Sequence, residues 1–259
     1  MNKIDSPLSG KTAIITGAGS GIGRQLALSL AVRGVNVVVA VRRGATGDET
    51  VRLVEGEGGV ARSIEADCTD YAAVEAAVAL ATDTFGGLDI MIHNAVYAHG
   101  NGVTALEDLT EDHVERMLDV SLAGSYNTAR AALPWLKKST CARYIGFTSP
   151  FGLYAARTDA SYATVKSGVR GFVKALAREW GPYGITVNAI SPAALSEGAD
   201  QYFEDNPGMR EAFYDKFSLR RIGRPREDVA EAITALCGPE FGYLTGQTVV
   251  LDGGLYSAL

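Results

Sequence analysis

Short runs rich in valine, isoleucine and threonine alternate with longer stretches of helical spacing along almost the whole chain. The pattern predicts strands at Thr12–Thr16, Val35–Val41, Val60–Ala66, Leu88–His93, Tyr144–Thr148, Ile185–Ile190 and Thr248–Leu251. Helices are expected at Gly23–Arg33, Tyr71–Phe85, Thr110–Lys137, Ala160–Trp180 and Arg226–Cys237. Val35–Val41 is nearly all valine, as a parallel strand buried on both faces requires. Strict alternation implies an α/β fold, a doubly wound parallel seven-stranded sheet with helices on both faces. Right-handed crossovers then put the carboxyl ends of all strands along one edge, where ligands of such sheets bind.

The 259 residues suit one such unit, and no linker, repeat or low-complexity tract divides them. The expectation is therefore one domain over 1–259. Ala193–Gly223 breaks the rhythm after the sixth strand and reads as a substrate lid over 193–223. Hydrophobic residues make up 47% of the chain, enough for a core that needs no disulfide or metal. Cys68, Cys141 and Cys237 are scattered without zinc-like spacing, which fits free thiols in a reducing compartment. The net charge is −6 with no basic block, so nucleic acid is not an expected partner. No apolar run approaches the ~20 residues of a membrane span, and the polar start lacks a signal pattern. A cytoplasmic protein without membrane attachment is expected.

Between the first strand and its helix lies Thr16-Gly17-Ala18-Gly19-Ser20-Gly21-Ile22-Gly23. Glycines let the backbone approach a pyrophosphate, and the helix that follows points free N–H groups and its positive end at it. By itself such a string is also an ordinary turn; its place after a strand and before a helix gives it meaning. It makes the fold Rossmann-like and nominates Gly17, Ser20, Gly21, Ile22 and Gly23 for cofactor binding. At the end of the second strand, where an acidic residue would bond ribose hydroxyls, the chain has Val41 followed by Arg42 and Arg43. Guanidinium pairs well with a phosphate, so the cofactor expected is NADP(H). The bland alternative is a solvated arginine pair.

Tyr162-Ala163-Thr164-Val165-Lys166 puts a phenol and an ammonium on one helix face. An adjacent ammonium favours the phenolate, which fits tyrosine for acid/base work. That spacing is common by chance, and Ser149 at the end of the fifth strand would alone be a turn residue. Together, these pieces resemble the short-chain dehydrogenase/reductase family, in its ketoacyl-reductase-like branch, over about Leu8 to Gly254. The glycine string matches its Thr-Gly-x-x-x-Gly-x-Gly and Tyr162 with Lys166 its Tyr-x-x-x-Lys, while Ser149 falls thirteen residues before the tyrosine, as in the family. Asp67 in Ala66-Asp67-Cys68-Thr69-Asp70 matches the adenine-contacting aspartate, with Cys68 beside it, and Asn94 matches the asparagine of Asn-Ala-Gly. Arg221-Ile222-Gly223-Arg224-Pro225 and Asp252-Gly253-Gly254 resemble the same branch.

The resemblance implies catalysis by Ser149, Tyr162 and Lys166, with Lys166 also bonding the nicotinamide ribose and Tyr162 standing beside it. It implies a ketone–alcohol oxidoreductase, a small-molecule carbonyl or alcohol substrate, and a homotetramer. A sensor or scaffold that binds NADP(H) with little turnover is the alternative. Three positions depart from the family: Val96 and Ala193 stand where it has glycines, and Ser121 where it has a catalytic asparagine. Asn127 is expected on another helix face.

Tyr202, Phe203, Met209, Phe213, Tyr214 and Phe217 of the lid, with Tyr97, Phe151 and Tyr154, suggest an aromatic rim and a substrate with apolar surface. Glu204, Asp205, Glu211 and Asp215 weigh against a strongly anionic one, although an acyl-carrier thioester stays open. His113 is expected to face solvent, His93 to be structural, and His99 to lie near the pocket mouth. No spacing suggests a metal site.

Overall fold

The computed structural model describes residues 6–97, 104–155, 160–195, 206 and 208–256. Seven parallel strands form one sheet in the order β3-β2-β1-β4-β5-β6-β7. They are β1 (Thr12–Thr16), β2 (Asn36–Val41), β3 (Val60–Glu65), β4 (Ile90–His93), β5 (Arg143–Phe147), β6 (Thr186–Pro192) and β7 (Thr248–Leu251). The chain winds outward from β1 to β3, then returns to place β4 on the other side of β1. Strand order therefore reverses between β1 and β4, opening a crevice beyond their carboxyl ends. Thr16 and His93 are register partners at that point.

Alternate residues of each strand feed two cores, one per face. Ile15, Val37, Val39 and Ile92 pack with Leu26 and Leu30 of α1 (Gly21–Val32) on one side. Ile14, Val38, Met91 and Tyr144 pack on the other, with Val74 and Val78 of α3 (Tyr71–Phe85) and Val173 and Trp180 of α7 (Ala160–Trp180). Each such aliphatic side chain, fully buried, contributes about 1.5–3 kcal/mol. The helix α3 starts at Asp70, whose carboxylate accepts the Ala72 amide, and stops at Gly86, whose φ of 85° suits glycine.

Two departures from the expected pattern bear on the site. A helix α2 (Gly44–Gly56) joins β2 to β3, where no helix is predicted. The expected rod Thr110–Lys137 is three pieces: α4 (Glu111–Leu118), a π-helical turn (Asp119–Ala123) and α5 (Gly124–Leu136). In the π turn the Gly124 amide bonds the Asp119 carbonyl five residues back. The remaining helices are α6 (Phe151–Tyr154), α8 (Met209–Tyr214) and α9 (Glu231–Leu236), the last preceded by a π-helical turn over Pro225–Ala230. Among the described residues, no helix is long and apolar enough to cross a membrane.

Candidate active site

The glycine segment spans the crevice from β1 to α1. Gly17 and Gly21 have φ of 67° and 51°, which L side chains rarely adopt. Gly23 lies so close to its surroundings that a Cβ there would sit 2.5 Å from the Gly17 carbonyl oxygen and from the Asn94 side-chain nitrogen. Ser20 is the N-cap of α1, yet its exposed hydroxyl caps nothing. It lies at the start of the first helical turn, whose amides have no intrahelical acceptor, an arrangement suited to a phosphate. Asn94 stretches across from β4 and donates to the carbonyls of Thr16 at 3.0 Å and Gly17 at 3.2 Å. Its side chain thus braces the segment.

The unforeseen helix α2 supports the same segment from behind. Thr50, fully buried, donates to the Ala18 carbonyl at 2.9 Å. Arg24 donates to the Thr50 hydroxyl at 3.1 Å and also bonds the Gly19 carbonyl. The two contacts of Thr50 join residues far apart in sequence, and no local motif announces them.

At the outer end of the crevice, Val41 is buried while Arg42 and Arg43 are exposed. Arg43 is the N-cap of α2, and its carbonyl accepts the Thr46 hydroxyl at 2.8 Å. Arg42 lies close enough to Cys68 for its charge to act on the thiol. Burial is the larger influence there and pushes the Cys68 thiol up to about 12, so it stays protonated. Asp67 accepts the Thr69 amide and hydroxyl, both at 2.9 Å, which fixes the turn after β3. Asn127 fastens that turn by donating to the carbonyls of Cys68 and Thr69 at 3.0 and 3.1 Å. It serves the turn rather than the surroundings of Ser121.

The second group gathers where β5 ends. Ser149 is buried, and its hydroxyl oxygen accepts the Phe151 amide at 3.3 Å. Tyr162 and Lys166 share a face of α7. The Lys166 ammonium lies 5.6 Å from the Tyr162 ring centre and donates to the Phe147 carbonyl at 3.0 Å. Lys166 is buried, and desolvation of its charge lowers it to about 8. Close packing of α6 on α7 makes this convergence possible. A Cβ on Gly152 would come within 2.8 Å of the Lys166 backbone and Cβ and of the Thr148 hydroxyl. Thr148 itself donates to the Lys166 carbonyl at 2.7 Å.

The π turn flanks this group. Ser121 is buried, and its hydroxyl has no partner among the described residues. Around the mouth, Phe151 meets the Tyr162 ring edge-on at 6.1 Å, and Tyr154 stacks on Tyr256 at 4.5 Å. Two expectations are corrected. Phe217 is 1% exposed and packs beneath Phe213, so it belongs to the interior and not to an aromatic rim. His113 is half-buried against the Tyr97 ring, with a buried Nε2 that has no partner among the described residues, so it does not face solvent. His99, Tyr202, Phe203, Glu204 and Asp205 lie outside the described residues. The ends of the 193–223 segment are paired, with Leu195 donating to the Gly223 carbonyl at 2.8 Å and Gly223 to Ala193 at 3.2 Å. Among the described residues no cluster of three or more metal-ligating side chains occurs.

Comparison with known proteins agrees with this construction. A family model described as enoyl-(acyl carrier protein) reductase matches residues 17–256. The chain is 36% identical over 250 residues to the short-chain reductase protein NovJ of Streptomyces niveus, covering 93% of this chain and 92% of that one. It is 32% identical over 249 residues to the 3-oxoacyl-[acyl-carrier-protein] reductase FabG of Vibrio cholerae, covering 96% and 98%. A solved 3-ketoacyl-(acyl-carrier-protein) reductase from Brucella melitensis, complexed with NADH, superposes with a TM-score of 0.86 at 31% identity, covering 96% and 99%. The chain belongs to the short-chain dehydrogenase/reductase family, oxidoreductases that bind a nicotinamide cofactor.

Proposed function

We propose that this protein is an NADP(H)-dependent oxidoreductase that interconverts a ketone and a secondary alcohol, with Tyr162 as its acid/base. The observation that carries the reading is the convergence of Ser149, Tyr162 and a buried Lys166 at the end of β5, next to the crevice where strand order reverses. Gly17, Ser20, Gly21, Ile22 and Gly23 would hold the pyrophosphate, Asp67 and Cys68 the adenine end, and Asn94 the segment between. Arg42 and Arg43 would meet a 2′-phosphate. The residues present fit a dinucleotide: an uncapped helix start with a free serine hydroxyl, and glycines where a side chain would collide.

The Phe151 amide occupies one lone pair of the Ser149 oxygen, which leaves the hydroxyl proton to donate to a substrate oxygen. In reduction Tyr162 gives its phenolic proton to that oxygen, and in oxidation it takes the proton back. The ammonium of Lys166 favours the phenolate that remains. One of its N–H groups goes to Phe147, so others are available to ribose hydroxyls. The nicotinamide, when bound, supplies or accepts the hydride. The aromatic surfaces of Phe151, Tyr154 and Tyr256 favour a substrate with apolar area, and the segment 193–223 is proposed as its lid.

The test is to mix the protein with NADPH, or separately NADH, and a panel of ketones, and to follow nicotinamide absorbance. Turnover is expected, with NADPH preferred by roughly ten- to a hundredfold, as one charged phosphate contact supplies. Arg42→Ala should reduce that preference. Binding without turnover contradicts the enzyme reading. Equal efficiency with both cofactors contradicts the NADP(H) assignment, and an unchanged preference in Arg42→Ala contradicts the role of that residue.

A further inference from the structure

We propose that His93 is a positioning residue that couples the cofactor end of β1 to the π turn beside Lys166, as a neutral ring with its proton on Nε2. The inference rests on the oxidoreductase reading above. It begins at Thr16, whose hydroxyl oxygen accepts the amides of Asn94 and Ala95, each at 3.1 Å. A hydroxyl has two acceptor sites and one proton. With both sites occupied, Thr16 can meet His93 Nδ1, 3.1 Å away, only as the donor. Nδ1 is therefore the bare nitrogen. A neutral imidazole then carries its proton on Nε2, which donates to the Val120 carbonyl at 3.1 Å.

Val120 lies in the π turn Asp119–Ala123. A second observation shows how closely the turn is seated on the ring. A Cβ on Gly124 would stand 2.9 Å from His93 Cε1 and 3.0 Å from the Cys68 sulfur. The missing side chain at Gly124 is what admits the imidazole. The turn in turn meets α7, where Gly168 faces the Leu122 side chain. That helix carries Tyr162 and Lys166. His93 thus sits between the strand that presents the glycine segment and the turn that packs against the catalytic helix. Ser121, with its unpartnered buried hydroxyl, rides on the same turn.

Two amide variants separate the two ends of the ring. The shorter amide of His93→Asn would reach only the Nδ1 position and Thr16, whereas that of His93→Gln would reach the Nε2 position and Val120. If the link to the π turn positions catalysis, His93→Gln should keep kcat within about fivefold, while His93→Asn should lose about 10- to 100-fold, the scale of a misplaced catalytic group. The NADPH dissociation constant, read by fluorescence, should stay within about threefold in both, because the bonds between Thr16 and Asn94 and from Asn94 to the Gly17 carbonyl do not involve the ring. In the unaltered protein, ¹⁵N shifts of the ring, assigned by elimination in His99→Gln and His113→Gln, should show protonated Nε2 and bare Nδ1. A ring protonated on Nδ1, or charged at about pH 7, overturns the proposal without any variant. Equal kcat in the two variants overturns it too, as does a loss seen only in NADPH affinity. Absence of turnover in the unaltered protein instead overturns the oxidoreductase reading, and the positioning role falls with it.

Discussion

At the residue scale, the chemistry turns on a few groups whose environments are unusual for their type. Lys166 is a buried cation whose described partners include the Phe147 carbonyl but no carboxylate. Desolvation alone accounts for its fall to about 8. A lysine lowered in this way is charged below about 8 and loses its proton as pH rises through that value. If the charge supports Tyr162, kcat/KM for ketone reduction should fall above about pH 8, because that ratio reports groups of the free enzyme. Lys166→Arg, which cannot deprotonate, should lose the part of that limb that Lys166 sets, even where its overall rate is lower, and a fall that remains belongs to Tyr162, which must keep its phenolic proton to donate it. A flat profile to about pH 10 would argue against a lysine acting through its charge. His93 is shifted the same way, to about 4, first by burial and then by the charge of Lys166. Its native form is therefore neutral across the range in which the enzyme would work.

At the scale of elements, the predicted strands coincide with the observed ones to within a couple of residues, since a buried parallel strand leaves a plain apolar signature. Ser149, Tyr162 and Lys166 were nominated by the family resemblance, since their spacings alone are common by chance, and the fold places Lys166 against the end of β5 and beside the Tyr162 ring. The helix α2 was not legible: Gly-Ala-Thr-Gly-Asp-Glu-Thr opens it with glycines and polar residues of weak helix propensity. Its stabilisation is tertiary, through Thr50 and through Gly47, where a Cβ would stand 2.8 Å from the Val41 side chain. The π turn was equally hidden, since no proline or glycine lies within Asp119–Ala123. The ring of His93 bonds it from β4 at the Val120 carbonyl, a contact between residues far apart in sequence.

Ser121 belongs to that turn, and its effect should be judged there. Its hydroxyl is buried and unpartnered among the described residues, and a water bound there would bridge where a longer amide would reach directly. Ser121→Asn, which restores the family residue, should alter turnover by no more than about tenfold. The unaltered protein should already be active. An inactive parent that gains activity from this change would mean that serine disables the site.

At the scale of the whole molecule, apolar surface remains on the helices that flank the site. Leu118 and Tyr126 are 40% and 59% exposed, and Tyr126 lies against Phe172 of α7 with ring centres 6.4 Å apart. Tyr243, in the loop before β7, is fully exposed. Helices that are apolar beyond one stripe need a second surface to cover them. We propose a symmetric homotetramer, in keeping with the resemblance that the sequence carries. Light scattering at micromolar concentration should give a mass near four times 27.3 kDa. A monomer would leave these faces unexplained and refute the assembly.

The proposed chemistry rests on Tyr162 as the group that moves the proton. Tyr162→Phe keeps the ring that meets Phe151 edge-on and removes only the phenolic oxygen. The most direct measurement compares turnover of an active ketone by the two proteins, with NADPH binding followed in the same samples. A proton-moving Tyr162 predicts a loss of roughly 10²- to 10⁴-fold in turnover, with binding unchanged. Near-normal turnover by the phenylalanine variant would contradict it.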